Sequence, residues 1–101
     1  MPTLSTHVLD TVRGEPAAGV AVQLRSYDNT VIATAATDSD GRVARIAEVF
    51  AGFYRLAFDT GGYFGETFYP EVIVTFEVTH QPHYHVPLLL SPFGYSTYRG
   101  T

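Results

Sequence analysis

The C-terminal stretch of the chain, residues 82–101, reads PHYHVPLLLSPFGYSTYRGT. Its first half alternates, so that His83 and His85 lie on the same side of an extended strand. The Ser-Pro-Phe-Gly segment that follows, residues 91–94, has the composition of a hairpin turn, and residues 95–99 then favour a second strand. The stretch therefore predicts a β-hairpin that carries two imidazoles on one arm.

The second arm of this hairpin also carries polar side chains. Alternation places Ser96, Tyr98 and Gly100 on one side of it, as it places His83 and His85 on one side of the first arm. An imidazole, a hydroxyl and a phenol can therefore share one surface.

Short alternating runs continue through the rest of the chain. In residues 3–10, alternation turns Leu4 and Val8 towards a core and His7 away from it. Further strands are predicted at residues 20–26, 31–37, 43–47, 53–59 and 71–78. Seven to eight short strands, with turns at intervals of roughly 8–12 residues, predict an all-β antiparallel sandwich.

Composition narrows the class of protein. The 101 residues are enough for one domain, and 46% of them are apolar, which argues against disorder. The formal charge is −4, and the six basic residues are arginines without a cluster, so we expect no nucleic-acid partner. No run approaches the roughly 20 apolar residues of a membrane span, so we expect no membrane partner. The chain has no cysteine, which is in keeping with a cytoplasmic protein.

The histidines are the candidates for chemistry. His80, His83 and His85 invite a metal interpretation, but no third ligand is evident locally unless folding supplies His7. We expect no metal site. No Gly-x-Ser-x-Gly elbow is present, and the acidic residues fall mostly in predicted turns, which argues against a serine nucleophile and against paired-carboxylate catalysis. What remains is a water molecule activated by an imidazole.

Two stretches resemble the signatures of a known family. One joins the HYHVPLLL strand, residues 83–90, to the tail Tyr-Arg-Gly-Thr, residues 98–101; the other is LSTHVLDTVRGEPA, residues 4–17. Together they resemble the transthyretin-like hydroxyisourate hydrolases, whose tail ends in Ser where this chain has Thr101. The resemblance implies a single domain over residues 1–101 with a transthyretin-like (prealbumin-like) sandwich, and a homotetramer. The family's short helix falls in residues 61–70, which are shortened and glycine-rich here, so we expect it to be reduced or absent.

The resemblance also implies a reaction. The family's substrate is 5-hydroxyisourate, an intermediate of urate degradation whose six-membered ring is opened by hydrolysis of an amide bond. The product is 2-oxo-4-hydroxy-4-carboxy-5-ureidoimidazoline, and no cofactor is implied. The catalytic residues implied at the matching positions are His7, Arg42 and His85. The implied substrate-binding residues are Tyr98, Arg99 and Thr101.

These residue types suit the implied reaction. A neutral imidazole can deprotonate water, and either His7 or His85 can be this base. The guanidinium of Arg42 is always charged and can stabilise an oxyanion. Two alternatives remain: a noncatalytic transthyretin-like ligand-binding module and a β-sandwich interaction domain. Both predict that the three side chains lie apart, so their convergence on one concave surface would favour the enzyme.

Overall fold

The structure is a computed structural model that describes residues 1–101. Alternating apolar residues form strands along the whole chain, as the sequence predicts. The elements in chain order are β1 (Thr3–Asp10), β2 (Glu15–Pro16), β3 (Ala21–Ser26), β4 (Val31–Ala36), β5 (Arg42–Glu48), β6 (Gly52–Phe58), α1 (Thr60–Phe64), β7 (Val72–Val78), β8 (His83–Ser91) and β9 (Gly94–Thr97). Eight of the strands have four or more residues, and β2 adds a two-residue strand to the seven to eight predicted.

The strands form two sheets. One has the order β2-β1-β8-β9, with β5 also paired to β1, and the other has the order β4-β3-β6-β7. Their facing sides bury a single core. Its members are Leu4, Val8, Ala17, Val20, Val22, Leu24, Val49, Leu56, Phe58, Val72, Val78, Tyr84, Val86, Leu88 and Leu90. The predicted all-β sandwich is confirmed, and apart from Ala17, Val20 and Val49, which lie outside the strands, the core residues follow the period-two pattern.

One strand pair departs from the antiparallel expectation. Strands β1 and β8 are parallel along their whole length, from Thr3 beside His83 to Asp10 beside Leu90. Parallel neighbours need a long connection, and here most of the chain forms it. The pairing places the N-terminal signature directly beside the C-terminal one.

Helix α1 is the only helix and has five residues, so the predicted reduction is confirmed and the helix is not lost. It persists despite Gly61 and Gly62 because two hydrogen bonds hold its first turn. The Asp59 carboxylate accepts a hydrogen bond from the Gly62 amide, and the buried Thr60 hydroxyl donates to the Tyr69 carbonyl. With five residues, this helix is far too short to span a bilayer.

A buried carboxylate joins α1 to the end of β1. Asp10 is almost fully buried, and its Oδ1 accepts hydrogen bonds from the amides of Val12 and Arg13 at 2.9 and 3.1 Å. The Tyr63 hydroxyl donates to Oδ2 at 2.8 Å. Burial, and then this hydrogen bond to Asp10, raises the pKa of Tyr63 above its usual value of 10.0. The contact fixes the turn after β1.

Candidate active site

Three consecutive strands of one sheet, in the order β5-β1-β8, carry the predicted catalytic residues. His7 on β1 lies opposite Arg42 on β5, and Ser5 on β1 lies beside His85 on β8. The neighbouring residues along these strands point into the core, so these four side chains share the outer face of the sheet.

A cleft of about 280 Å³ opens on this outer face. Arg42, His85 and Thr101 meet there, although 16 to 59 positions separate them along the chain. The lining residues are Ser5, Thr6, Arg42, Ala44, His85 and Thr101. His7 does not line the cleft and lies at its border, half-buried, on the same face beside Arg42. The structure therefore brings Arg42, His85 and the tail together on a concave surface, with His7 adjacent.

The turn before β5 determines where Arg42 lies. Gly41 has φ +73°, and its carbonyl accepts a hydrogen bond from the Val8 amide at 2.7 Å. A Cβ at this position would lie 2.5 Å from the Val8 carbonyl oxygen, so only glycine allows the strands to approach this closely. The Asp38 carboxylate accepts from the Arg42 amide at 3.0 Å. Both contacts fix the backbone of Arg42 against β1.

The C-terminal tail is placed by its contact with His85. The Gly100 amide donates to the His85 carbonyl at 2.8 Å, and a Cβ on Gly100 would lie 2.6 Å from Cδ2 of the imidazole. This close approach places Thr101 in the cleft. The Arg99 guanidinium lies over the Tyr84 ring, 5.3 Å from its centroid, which anchors the tail on its other side.

Tyr98 and Arg99 do not line the cleft that contains Arg42. Both line a neighbouring groove of about 400 Å³, which they share with His85 and with Glu77 on β7. Arg99 also lines a third depression, beside His83 and His85. Tyr98 is 57% exposed. His85 therefore lies where three depressions meet, and Tyr98 reaches it from the groove only.

His85 has a perturbed pKa. Burial is the main cause that lowers the pKa of this imidazole below its usual value of 6.5, followed by the positive charge of Arg42 and then by His7 and His83. Low dielectric and nearby cations both disfavour the imidazolium. At neutral pH the side chain is therefore a neutral imidazole, which is the form that can accept a proton from water.

The resemblance named neither Thr3, Ser5 nor His83 as part of this site, although alternation placed His83 on the face of His85. Ser5 Oγ lies 2.7 Å from Nδ1 of His85 and 2.8 Å from Nε2 of His83, and Thr3 Oγ1 lies 2.6 Å from Nδ1 of His83. Residues 5 and 7 are two apart, so alternation along β1 places Ser5 on the same face as His7, and this is a usable signal in the sequence. The parallel pairing that brings Ser5 between the two imidazoles left no local pattern in the sequence.

The imidazoles do not gather as a set of metal ligands. No group of three His, Cys, Asp or Glu side chains lies in an arrangement that could hold a metal ion. His80 lies outside the cleft, and its Nε2 is 3.5 Å from the side-chain amide of Gln81. The positive charge in the cleft instead suits an anionic or electron-rich ligand.

Comparisons with known proteins match this chain to one family. A profile of the HIUase/Transthyretin family matches residues 4–100. The 5-hydroxyisourate hydrolase of Salmonella typhimurium is 48% identical over 97% of this chain and 80% of that protein. The uric acid degradation bifunctional protein TTL of Arabidopsis thaliana is 41% identical over 99% of this chain, which spans 37% of that longer protein.

Solved structures of two kinds share the fold. The 5-hydroxyisourate hydrolase of Klebsiella pneumoniae superposes with a TM-score of 0.91 at 38% identity, covering 98% of this chain and 99% of that one. Sea bream transthyretin, solved in complex with thyroxine, superposes with a TM-score of 0.86 at 36% identity, covering 96% and 93%. The resemblance of the two terminal motifs is thereby confirmed. The chain belongs to the HIUase/Transthyretin family.

Proposed function

We propose that this chain is a hydrolase that opens the ring of 5-hydroxyisourate, giving 2-oxo-4-hydroxy-4-carboxy-5-ureidoimidazoline in urate degradation. The observation that carries the proposal is the meeting of Arg42, His85 and Thr101 in one cleft of the outer sheet face. The names of the bacterial relatives, 5-hydroxyisourate hydrolase, support the substrate.

We assign the role of general base to His85. Its pKa is lowered, it lines the cleft, and its Nε2 is neither buried nor bonded within the chain. Nε2 takes a proton from water as the oxygen attacks the amide carbonyl carbon. The carbon–nitrogen bond then breaks, and the proton on Nε2 goes to the leaving nitrogen. His7 lies beside Arg42 and contributes to the field at His85.

Arg42 is assigned to the oxyanion. Its guanidinium lines the cleft together with His85, so fixed positive charge faces the atoms that react. Such charge stabilises the tetrahedral oxyanion more than the neutral carbonyl, which lowers the barrier. Thr101 lines the same cleft and brings a hydroxyl to it, and Tyr98 and Arg99 line the neighbouring groove that His85 also borders.

A noncatalytic ligand-binding function is the second candidate, because the fold is shared almost equally with sea bream transthyretin. The lining of the cleft argues against it. Five of the six lining residues, all except Ala44, carry polar or charged side chains, whereas pockets that only bind a small molecule are lined mostly by hydrophobic and aromatic side chains. The polar lining favours hydrolysis of a small polar ring.

An assay with freshly generated 5-hydroxyisourate tests the proposal. The substrate decays spontaneously, so the uncatalysed rate is subtracted at each pH. We expect a rate well above this background for the unmodified protein and a loss of about 10²- to 10⁴-fold in kcat for His85→Ala. Rates equal to the background would reject the hydrolase assignment.

We also propose a homotetramer in which the face carrying His7 and His85 is turned towards a subunit interface. A domain of this size has a small core, so association adds useful burial. Light scattering at micromolar concentration tests the assembly, and a fully active monomer would contradict the interface. A cytoplasmic location stays a prediction, which cell fractionation tests.

A further inference from the structure

Four side chains on β1 and β8 form a continuous hydrogen-bonded chain that ends at the proposed base. Thr3 contacts Nδ1 of His83 at 2.6 Å, and Nε2 of His83 contacts Ser5 at 2.8 Å. Ser5 in turn contacts Nδ1 of His85 at 2.7 Å. His83 is exposed, Ser5 is 7% exposed, and His85 lines the cleft. The chain therefore leads from solvent to the site.

Proton counting allows two directions for this chain when both imidazoles are neutral. Ser5 has a single hydroxyl proton, so it donates to one imidazole and accepts from the other. If Ser5 donates to His83, then His85 donates its Nδ1 proton to Ser5 and its Nε2 is free to accept. If Ser5 donates to His85, then Nε2 of His85 carries a proton and cannot act as a base. The direction of the chain decides whether His85 is a base or an acid.

The charge in the cleft selects the first direction. Arg42 and His85 line the same cleft. The Nε2 atom of His85 has no hydrogen-bond partner within the protein. A lone pair at Nε2 interacts favourably with a guanidinium, whereas an N–H pointing towards that charge is repelled. Before the reaction, each hydrogen bond is therefore donated in the direction of solvent: His85 donates to Ser5, Ser5 donates to His83, and His83 donates to Thr3.

We propose that Ser5 and His83 are positioning residues that hold the base tautomer of His85 and relay its proton to solvent. This inference rests on the proposed function for its role in turnover, and on the geometry alone for the tautomer. A hydrogen bond at one imidazole nitrogen sets the state of the other, so Ser5 controls the reactivity of Nε2.

The proton balance of a turnover is complete along this chain. Water gives a proton to Nε2 of His85, and the Nδ1 proton passes to Ser5 Oγ. The Ser5 proton passes to Nε2 of His83, and the Nδ1 proton of His83 leaves through Thr3 to solvent. His85 then holds its proton at Nε2 and donates it to the leaving nitrogen. The chain takes one proton back from solvent through Thr3 and returns to its first direction.

Several charged or titratable groups face the relay from the surrounding elements. They are His7 from β1, Arg42 from β5, and Tyr98 and Arg99 from the tail, while Glu77 from β7 and the edge of the buried Tyr84 line the groove that His85 also borders. Of these, Arg42 and His7 lower the pKa of His85, after burial and together with His83. The relay therefore operates with a neutral His85 at neutral pH.

The tautomer can be measured without any assay of activity. Long-range proton–nitrogen correlation spectra of protein labelled with ¹⁵N in histidine distinguish an Nδ1 proton from an Nε2 proton. We expect His85 to carry its proton on Nδ1, and Ser5→Ala to shift it towards a mixture of tautomers. His80→Gln is the matched control, because His80 lies outside the chain and should leave the His85 signals unchanged. A dominant Nε2 proton, or identical His85 signals in Ser5→Ala, would overturn the proposal.

Kinetics test the relay itself. Gln in place of His83 can still bond to Ser5 but has no second ring nitrogen through which a proton can pass. We expect His83→Gln and Ser5→Ala each to lower kcat about 10- to 100-fold with little change in KM. In mixtures of H₂O and D₂O, a plot of the rate against the deuterium fraction should be curved for the unmodified protein. The same plot should be linear for His83→Gln. A merely structural role would lower the melting temperature and leave this curvature intact, which would overturn the relay.

The two proposals fail in different ways. If the unmodified protein is no faster than the background, the hydrolase assignment fails and the His85 tautomer still decides the positioning role. If the unmodified protein is active and both His83→Gln and Ser5→Ala retain full kcat, the relay alone is wrong.

Discussion

Replacing Arg42 separates its two proposed effects on the reaction. The guanidinium is proposed to stabilise the oxyanion, and its charge lowers the pKa of His85, after the larger effect of burial. Arg42→Ala removes both effects, whereas Arg42→Lys keeps a charge but loses the planar group that can bond to two acceptors at once. Loss of one oxyanion donor costs about 10²- to 10³-fold in kcat. We therefore expect both variants to lose activity, with Lys rescuing little.

The pH profile distinguishes the two variants. Activity needs neutral His85, so it falls as the pH drops through the pKa of this imidazole. Arg42 lowers that pKa, so its removal in Arg42→Ala should move the acidic limb of the profile to higher pH. In Arg42→Lys the charge remains, and the limb should stay close to that of the unmodified protein. The measurement is kcat/KM for 5-hydroxyisourate from about pH 5 to 8, where unperturbed imidazole titrates, corrected for spontaneous decay.

Arg45→Ala provides the control on the same strand. Arg45 is exposed and pairs with Glu48, and surface ion pairs of this kind contribute little. We therefore expect kcat/KM of Arg45→Ala to stay within about twofold of the unmodified protein at each pH, with the acidic limb in the same place. An active enzyme whose Arg42→Ala variant keeps full kcat would refute the role assigned to Arg42. An unmoved acidic limb in Arg42→Ala would refute the electrostatic coupling to His85.

Three further predictions test the tail, the metal interpretation and the buried carboxylate. Gly100→Ala should displace the tail, because the added Cβ would lie 2.6 Å from the His85 ring, and kcat/KM should fall roughly 10²-fold at an unchanged melting temperature. Dialysis against EDTA should leave the hydrolysis rate intact, and recovery of a lost rate on adding Zn²⁺ would revive the metal interpretation. Asp10→Ala leaves the Tyr63 hydroxyl and two amides without their acceptor, and we expect a loss of about 3 kcal/mol in urea unfolding. Tyr63→Phe should lose less, about 1 kcal/mol, because only one hydrogen bond is removed.

Local patterns in the sequence predicted much of the fold. Alternation in β1, β7 and β8 identified which residues face the core, because a strand turns successive side chains to opposite sides. Glycines in residues 61–70 predicted a reduced helix, since glycine is a poor helix former. These features depend on neighbours in the chain, so they can be read without knowing the tertiary structure.

The partners across the sheets were decided only by the tertiary structure. Alternation states which face His83, His85 and Ser5 occupy, but the parallel pairing joins residues about 80 positions apart. Such pairing depends on how all the strands bury one core together, and leaves no periodic signal in either strand.

The same distinction applies to the site. The resemblance to the family signatures identified His7, Arg42, His85 and Tyr98 as candidate site residues. Only the structure shows that the Tyr98 ring lies in the groove beside the Arg42 cleft. The sequence by itself determined the strands, their inward faces and the chemical groups available. The tertiary structure decided which of those groups meet, because contacts between distant strands are set by the packing of the whole sandwich.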